Sequence, residues 1–288
     1  MAALSSGPAP FSLSRGAKIS FALLAVYFLW AAAQLEFTAE RFIVGLDNGA
    51  RFLDRMFPPA IHDWDSLTRG LTESLQIAVL ASILGILLAL PIGLASARNL
   101  MPTWASWPAR TIIALCRSFH PVIVAILFVK AVGFGALAGI LALTVASVGF
   151  VGKLFAEAIE EISAKQVEAV RATGASFASI VIFGVLPQVF SRFVGFATYQ
   201  LDSNLRNSTM VGIVGAGGIG GTLFSAFQRF DYDFVCAILI AIIAIIMIGE
   251  LLANQVRAIF IDNLSFGELL RRRFSGFRGL TTERAAND

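Results

Sequence analysis

Residues 167–187, VEAVRATGASFASIVIFGVLP, form a polar and charged stretch between strongly apolar runs. Residues 168–173 are predicted to form a short helix that ends at Gly174, because glycine adopts a left-handed conformation without a β-carbon clash. A second helix is predicted to run on to Leu186, just before Pro187. Two short helices joined at a glycine make a compact knuckle, which suits an element that docks on another protein.

The spacing of this segment resembles the loop by which permease subunits of bacterial ABC importers sit on their ATPases. The family pattern is Glu-Ala-Ala, three residues, Gly, nine residues, Ile, one residue and Leu-Pro. This sequence departs from it at Val170, where Ala is usual, and at Gly184, where Ile is usual. An ordinary helix in a cytosolic loop is the alternative interpretation. The ATPase-docking residues that the resemblance implies are Glu168, Ala169, Arg171, Gly174, Leu186 and Pro187.

Composition indicates an integral membrane protein. Of 288 residues, 57% are hydrophobic and 14% charged, whereas soluble domains have about 25% charged residues. Mean hydropathy is +0.78. Backbone groups in lipid must be satisfied within each segment, so apolar runs of about 20 residues indicate helices rather than barrel strands. We therefore predict an all-α membrane protein with about six spans, at residues 19–35, 75–97, 111–132, 135–152, 188–206 and 234–253.

The positions of Arg and Lys in short loops predict the orientation. Arg15 and Lys18 place the N-terminus in the cytoplasm, and arginines at residues 257–278 place the C-terminus there too. The apolar run after Lys18 continues to Trp30 without a small-residue cleavage site, so we expect a retained anchor rather than a signal peptide. The segment at 167–187 then lies on the cytoplasmic side, where an ATPase can reach it.

We expect a single permease domain with three parts. Residues 18–71 hold the first span and an outer segment of mixed charge, residues 72–260 hold the core with a cytoplasmic coupling loop at 153–187, and residues 261–288 form a basic tail. The outer segment is either a solvated connector or a surface helix that a periplasmic partner contacts. The tail has a run of arginines that suits either anionic lipid or the ATPase.

The run GAGGIG at residues 215–220 satisfies the spacing of the dinucleotide fingerprint. A Rossmann site also requires a βαβ unit and an acidic residue about 20 positions later, but the acidic residues here would precede a transmembrane helix. Close helix packing and backbone bending in the bilayer explain the glycines better. We predict a gate formed by Gly215, Gly217, Gly218 and Gly220.

Residues 202–209, DSNLRNST, lead directly into this glycine run, and the whole segment resembles the phosphonate importer permease family. That resemblance covers residues 154–221 closely and the third to sixth spans more loosely. It implies the type I ABC importer (MetI-like) permease fold and phosphonates, phosphite or phosphate esters as cargo. A permease for another nutrient, such as methionine, is the alternative. A membrane enzyme or a standalone channel is a further alternative, and either of these would have to function without an ATPase.

The resemblance also implies the partners and the location. The chain would form a homodimer in the bacterial cytoplasmic (inner) membrane, with two ATP-binding subunits and a periplasmic substrate-binding protein. ATP and magnesium would bind to the ATPase, because this sequence has no phosphate-binding loop, no HExxH and no GxSxG. We expect no catalytic residues, no metal or cofactor in this chain, and no nucleic acid partner.

Polar residues inside predicted spans are candidates for an anion pathway, since ionisable groups there usually face a partner, a cavity or water. Asp202 and Arg206 are four residues apart, so they share a helix face and either neutralise each other or line the path. Arg117 suits an oxyanion because a guanidinium donates bidentate hydrogen bonds, and Pro121 predicts a bend beside it. The predicted pathway residues are Arg117, Ser118, His120, Asp202, Asn204, Arg206, Asn207, Ser208 and Thr209.

Overall fold

The computed structural model describes residues 14–35 and 38–261, which are helical with no strand among them. The predicted basic tail at 261–288 lies outside the described residues, apart from its first position. The helices are α1 Arg15–Gln34, α2 Ala39–Met56, α3 Trp64–Ser96, α4 Thr103–Ser118, α5 Pro121–Val132, α6 Ala136–Glu160, α7 Ala164–Ala172, α8 Phe177–Ser179, a π-helical turn Ile180–Val185, α9 Leu186–Ile213, α10 Ile219–Gln228 and α11 Tyr232–Ile261.

Internal contacts divide the chain into two units, Met1–Phe57 and Pro58–Asp288. In the first unit, α1 begins at an N-cap whose Ser14 hydroxyl accepts from Ala17 N and it has no buried side chain, as befits a helix whose apolar residues face lipid. Most of the segment predicted as a connector or surface helix is α2, with Thr38 as its N-cap.

The second unit contains the spans that carry the predicted site. Across the described residues, five helices are long and apolar enough to cross a membrane, and α4 with α5 forms a pair bent by 93° that passes the same test. The predicted number of about six spans is therefore confirmed when the bent pair is one of them. These helices show the all-α membrane fold that the composition predicts.

The predicted span at 111–132 is not continuous. Phe119 and His120 adopt extended backbone angles between α4 and α5, and Pro121 is the first residue of α5. Proline has no N–H to continue the hydrogen-bond ladder of α4, and it disfavours helical angles at the residue before it. The His120 ring accepts from Val122 N instead, at 3.3 Å, and caps the new helix.

The core forms where α3 runs parallel to α6 and small residues allow a close approach. A Cβ added to Gly85 would lie 2.3 Å from the Cβ of Ser147, and one added to Gly93 would lie 2.9 Å from the ring of Phe155. Membrane helices rely on such close packing because lipid offers no hydrophobic drive for association. Helix α9 packs against both helices, so residues on these three elements have fixed positions relative to one another.

The sequence predicts that the helix after Gly174 ends just before Pro187, but the structure shows that it does not end there. It continues from α8 through the π-helical turn into α9, with Pro187 in the first turn of α9. Within the turn, Leu186 donates its N–H to Val181 O. A π-helical turn can accommodate a proline inside a membrane helix because it re-satisfies the carbonyl groups that the missing N–H leaves free.

Candidate functional site

The predicted docking segment forms a knuckle at one end of the bundle, which we call the α7 end. Helix α7 ends beside Gly174, whose φ of +74° is in the left-handed region that favours glycine. Val167 is the buried residue of α7, and its backbone packs 3.6 Å from where a Cβ of Gly184 would be. The knuckle is therefore seated on the π-helical turn.

The two departures from the family pattern face each other in this contact. A Cβ at Gly184 would lie 3.6 Å from Cγ2 of Val170. The pattern has a small residue at the first position and a large one at the second, whereas this chain has the larger side chain on α7 and none on the π-helical turn. The exchange of size across one contact preserves the packing between the two elements.

The outer surface of the knuckle is available to a partner. Hydrogen bonds fasten its base, since Ser163 N donates to Gln188 Oε1 at 3.0 Å and Arg192 pairs with Glu161 at 2.5 Å. Of the predicted docking residues, Leu186 is partly buried, and the exposed ones are Glu168, Ala169, Arg171, Gly174 and Pro187.

The end of α6 is fixed by a cluster around Glu160. Its carboxylate accepts from Arg98 N at 2.8 Å and from the Arg110 guanidinium at 2.5 Å. Asn99 donates to Ile159 O at 2.7 Å. The link between α3 and α4 is therefore tied to the last turn of α6, directly before the knuckle, so the docking segment rests on a rigid base.

Among the predicted pathway residues, Asn204 and Ser208 face the interior of the protein. Asn204 is fully buried, donates to Ser82 and Ser147 at 2.9 and 2.8 Å, and accepts from Gln200 at 2.9 Å. Ser208 is also fully buried and donates to a backbone carbonyl of its own helix. The structure thus places Asn204 in a polar network that joins α3, α6 and α9.

Asp202 and Arg206 form an ion pair on α9, the structural alternative considered for them. The Asp202 side chain is 9% exposed and that of Arg206 48%. The second carboxylate oxygen of Asp202, Oδ1, is buried and has no hydrogen-bond partner. Asn207 and Thr209 are partly buried, so residues 202–209 do not share one open surface.

The other predicted pathway group lies at the break between α4 and α5. Arg117, Ser118 and His120 are exposed there, and the Ser118 hydroxyl donates to Ala114 O at 2.8 Å. Arg117 and Ser118 line a cleft of 390 Å³ between α4, α6 and the end of α3. Of the predicted pathway residues, these two are thus in a site that small ions can enter.

The glycine run forms a tight turn between α9 and α10, at the end of the bundle opposite α7, which we call the α10 end. Gly215, Gly217 and Gly218 have φ between +82° and +87°. Ile219 N donates to the Ser74 hydroxyl at 2.9 Å, and a Cβ at Gly220 would lie 1.9 Å from Thr209 O. This is the close packing and bending that the sequence predicts; a role as a gate stays a prediction.

A further ionisable group at the α10 end was not predicted from the sequence. His62 Nε2 lies 2.9 Å from a carboxylate oxygen of Asp233, and Ala60 N donates to Asp233 O at 3.3 Å. The hydrogen bond to Asp233 raises the pKa of His62 above its ordinary value. With Asp231, these residues bring ligand atoms within 4.8 Å of one another, a spacing that a divalent cation could bridge. His62 and Asp233 are 171 positions apart, so no local pattern relates them.

Residues 89–265 match the family model described as "Binding-protein-dependent transport system inner membrane component". The phosphite transport system permease protein PtxC of Stutzerimonas stutzeri is 37% identical over 223 residues, which cover 77% of this chain and 81% of that protein. The phosphate-import permease protein PhnE of Mycolicibacterium smegmatis is 38% identical over 249 residues, which cover 86% of this chain and 46% of that protein.

A solved structure has the same fold. A chain of the MetNI methionine ABC transporter, in an inward-facing conformation, superposes with a TM-score of 0.59 and 26% sequence identity. The superposition covers 67% of this chain and 95% of that chain. Nearly all of the solved subunit is therefore represented in the helices described above.

Proposed function

The chain belongs to the family of inner membrane components of binding-protein-dependent transport systems, and from that premise we propose that it is the permease of an importer for phosphonates or for the related anions phosphite and phosphate esters. The observation that carries the transport role is the exposed knuckle of α7, seated on the π-helical turn. The cargo class is supported by the relatives, one described as a phosphite permease and one as a phosphate-import permease.

Energy comes from two separate ATP-binding subunits, which hold ATP and magnesium and contact the knuckle of each copy in a homodimer. A push on α7 passes to the π-helical turn through the buried Val167, and from there into α9. It reaches α6 through the bond between Ser163 and Gln188 and the ion pair of Glu161 with Arg192. Closure of the two ATPases around ATP would move both knuckles together and rock the two halves of the dimer between inward-open and outward-open states.

The α7 end faces the cytoplasm in this proposal, as do both chain termini, and the α10 end faces the periplasm. A periplasmic binding protein delivers the anion at the α10 end, where the glycine turn acts as the gate. Support for this orientation comes from the arginines and lysines of the short loops. The membrane is then the bacterial inner membrane.

A permease for methionine or another small nutrient is the second candidate, favoured by the structural likeness to the methionine transporter. The cationic residues of the cleft beside α4 favour an anion instead, because a zwitterionic amino acid gains less from a cationic site than a phosphonate does.

The test is reconstitution of the chain in lipid nanodiscs with its ATPase and its binding protein, with ATP hydrolysis measured with and without methylphosphonate. Stimulation by methylphosphonate supports the importer and its cargo class together. A stable complex that responds to methionine but not to phosphonate, phosphite or phosphate esters contradicts the cargo. Absence of any complex contradicts the docking role of α7.

A further inference from the structure

The cleft beside α4 contains more positive charge than its own side chains neutralise. Its polar lining consists of Ser96, Arg110, Arg117, Ser118, Lys153 and Glu157. The charge of Arg110 is already neutralised, since its guanidinium forms an ion pair with Glu160 and donates to Ser96 O at 3.0 Å. Two cations, Arg117 and Lys153, are left to face the space of the cleft.

These two cations are weakly neutralised. Lys153 Nζ lies 3.5 Å from Glu157, and both side chains are about half exposed (45% and 50%), so the contact is long and solvated. Within residues 14–35 and 38–261, Arg117 has no ion pair and its guanidinium no hydrogen bond. An anion that enters the cleft therefore meets the free guanidinium of Arg117 and the ammonium of Lys153, which readily exchanges its contact with Glu157 for one with the anion.

The two cations lie at different depths. Arg117 is seven residues beyond Arg110 on α4, which is about 10 Å along the helix axis. A Cβ at Gly149 would lie 3.0 Å from Cγ of Arg117, so Arg117 packs against the middle of α6. Lys153 is one turn nearer to the α7 end. The cleft therefore runs from the α7 end to the middle of α6 with these cations on its wall, where charged groups avoid the cost of lipid by facing a cavity.

We propose that this cleft is a transient binding site for a phosphoryl or phosphonyl oxyanion, which Arg117 and Lys153 hold between them on its way to the α7 end. The inference rests on the proposed function. It adds Lys153 to the pathway residues that were predicted from the sequence. Arg117 donates two parallel hydrogen bonds to the oxyanion. Lys153 leaves Glu157 to meet the anion and returns to Glu157 when the anion departs, so the carboxylate favours release.

The site is tested by thiol labelling, which does not depend on transport. Cys116 and Cys236 are replaced by serine, and Ser118→Cys provides a thiol in the cleft of the complete complex in nanodiscs of phosphatidylcholine. We expect an anionic methanethiosulfonate to react about tenfold faster than a cationic one, because a cationic recess concentrates anions. Millimolar methylphosphonate should slow the anionic reagent severalfold, and Lys153→Met or Arg117→Gln should remove both effects.

Matched controls keep the test decisive. Lys130→Met makes the same chemical change at an exposed lysine on α5 that does not line the cleft, and it should leave the preference unchanged. Ala114→Cys, also in the cleft lining, is the second probe if Ser118→Cys lowers the yield of the complex. Equal rates for the two reagents at both probes overturn the proposal.

The source of the oxyanion is distinguished by lipid composition. Slowing by methylphosphonate in pure phosphatidylcholine supports a site for the transported anion. Slowing that occurs only when phosphatidylglycerol is added, with no effect of free methylphosphonate, assigns the site to a lipid headgroup and overturns the release pathway. ATP hydrolysis measured on the same samples separates the two ideas: phosphonate-stimulated hydrolysis without any labelling preference overturns the cleft alone, and a labelling preference without stimulation overturns the importer alone.

Discussion

At the scale of single residues, the knuckle shows how a pattern is kept while its members change. Val170 and Gly184 both depart from the family pattern, yet they contact each other, so the volume lost on one side is supplied from the other. Glu168 and Gly174 both keep the pattern, but Gly174 is explained by its left-handed backbone, with φ of +74°, whereas the Glu168 side chain is exposed and makes no contact that the fold requires. The identity of Glu168 is therefore better explained by a partner than by packing.

Glu168→Ala should reduce docking of the ATPase without reducing stability. The Glu168 side chain is exposed on α7, so its removal leaves no buried group unsatisfied. We expect the affinity for the ATPase to fall about tenfold, as is common when one central charged contact is truncated. Pull-down yield and thermal midpoint measure the two quantities. Gln166→Ala, exposed on the same helix, is the matched control, and equal losses in both variants would contradict a specific docking contact.

The pair of His62 and Asp233 predicts a pH dependence. The pKa of His62 is raised, mainly by its hydrogen bond to Asp233, so its stabilising effect is fully present below the ordinary pKa of about 6.5 and is lost as pH rises through the raised value. The thermal midpoints of wild type and His62→Gln should therefore differ at acidic pH and converge at alkaline pH. In an Asp233→Asn background Asp231 is the remaining carboxylate that raises the pKa of His62, so His62→Gln should have a much smaller effect there; an undiminished difference would refute the pair.

At the scale of elements, the network around Asn204 joins three spans through four side chains. Asn204→Ala removes three interior hydrogen bonds, one from Gln200 and two to serines, while Gln200 keeps its bond to Ser147. We expect the free energy of unfolding in detergent to fall by about 1–3 kcal/mol. Asn207→Ala is the matched control, since that side chain makes one bond of 3.3 Å to Ser203 Oγ. Comparable losses would show that the network adds nothing beyond an ordinary polar contact.

The turn between α9 and α10 tolerates no side chain at its closest point. Gly220→Ala would place a Cβ 1.9 Å from Thr209 O, a backbone atom that cannot move aside. We expect a loss of about 3 kcal/mol or more and a poor yield of monodisperse protein on size exclusion. Gly221→Ala, next in sequence, meets only Gly212 O at 3.6 Å and should be tolerated. A well-folded Gly220→Ala protein would mean that this turn is loosely packed.

At the scale of the whole molecule, the second unit contains the packed core, the knuckle and the cleft, whereas α1 has no buried side chain. The superposition with the solved methionine transporter subunit includes 95% of that subunit but only 67% of this chain. That subunit is therefore shorter than this chain. The family match at residues 89–265 lies entirely within the second unit, so this unit should be sufficient for folding and for ATPase docking.

A chain of residues 58–288 behind a cleavable signal peptide should insert and form the ATPase complex. The signal peptide replaces the first span, so that α3 keeps its direction across the membrane. Yield and ATP hydrolysis in nanodiscs measure the outcome. A chain of residues 64–288, which also lacks His62 and the N-cap of α3 at Asp63, is the comparison and should be less stable. Failure of both chains would show that the first unit is needed for assembly.

Local patterns in the sequence determined much of this protein. The membrane class, the approximate spans, the break at Pro121 and the knuckle with Gly174 at its end follow from hydropathy and from the backbone properties of proline and glycine, which act within a few residues. The continuation of the helix through Pro187 was missed, because a π-helical turn is not visible in a propensity pattern.

Only the tertiary structure decided what each polar side chain in a span does. Asn204 and Arg206 are two positions apart, yet one is buried in a network with α3 and α6 and the other is exposed beside Asp202. The rotation of α9 against its neighbours sets that difference, and α9 packs against helices that are far from it in the sequence. The same reason explains why Arg117 and Lys153, 36 positions apart on different helices, meet in one cleft.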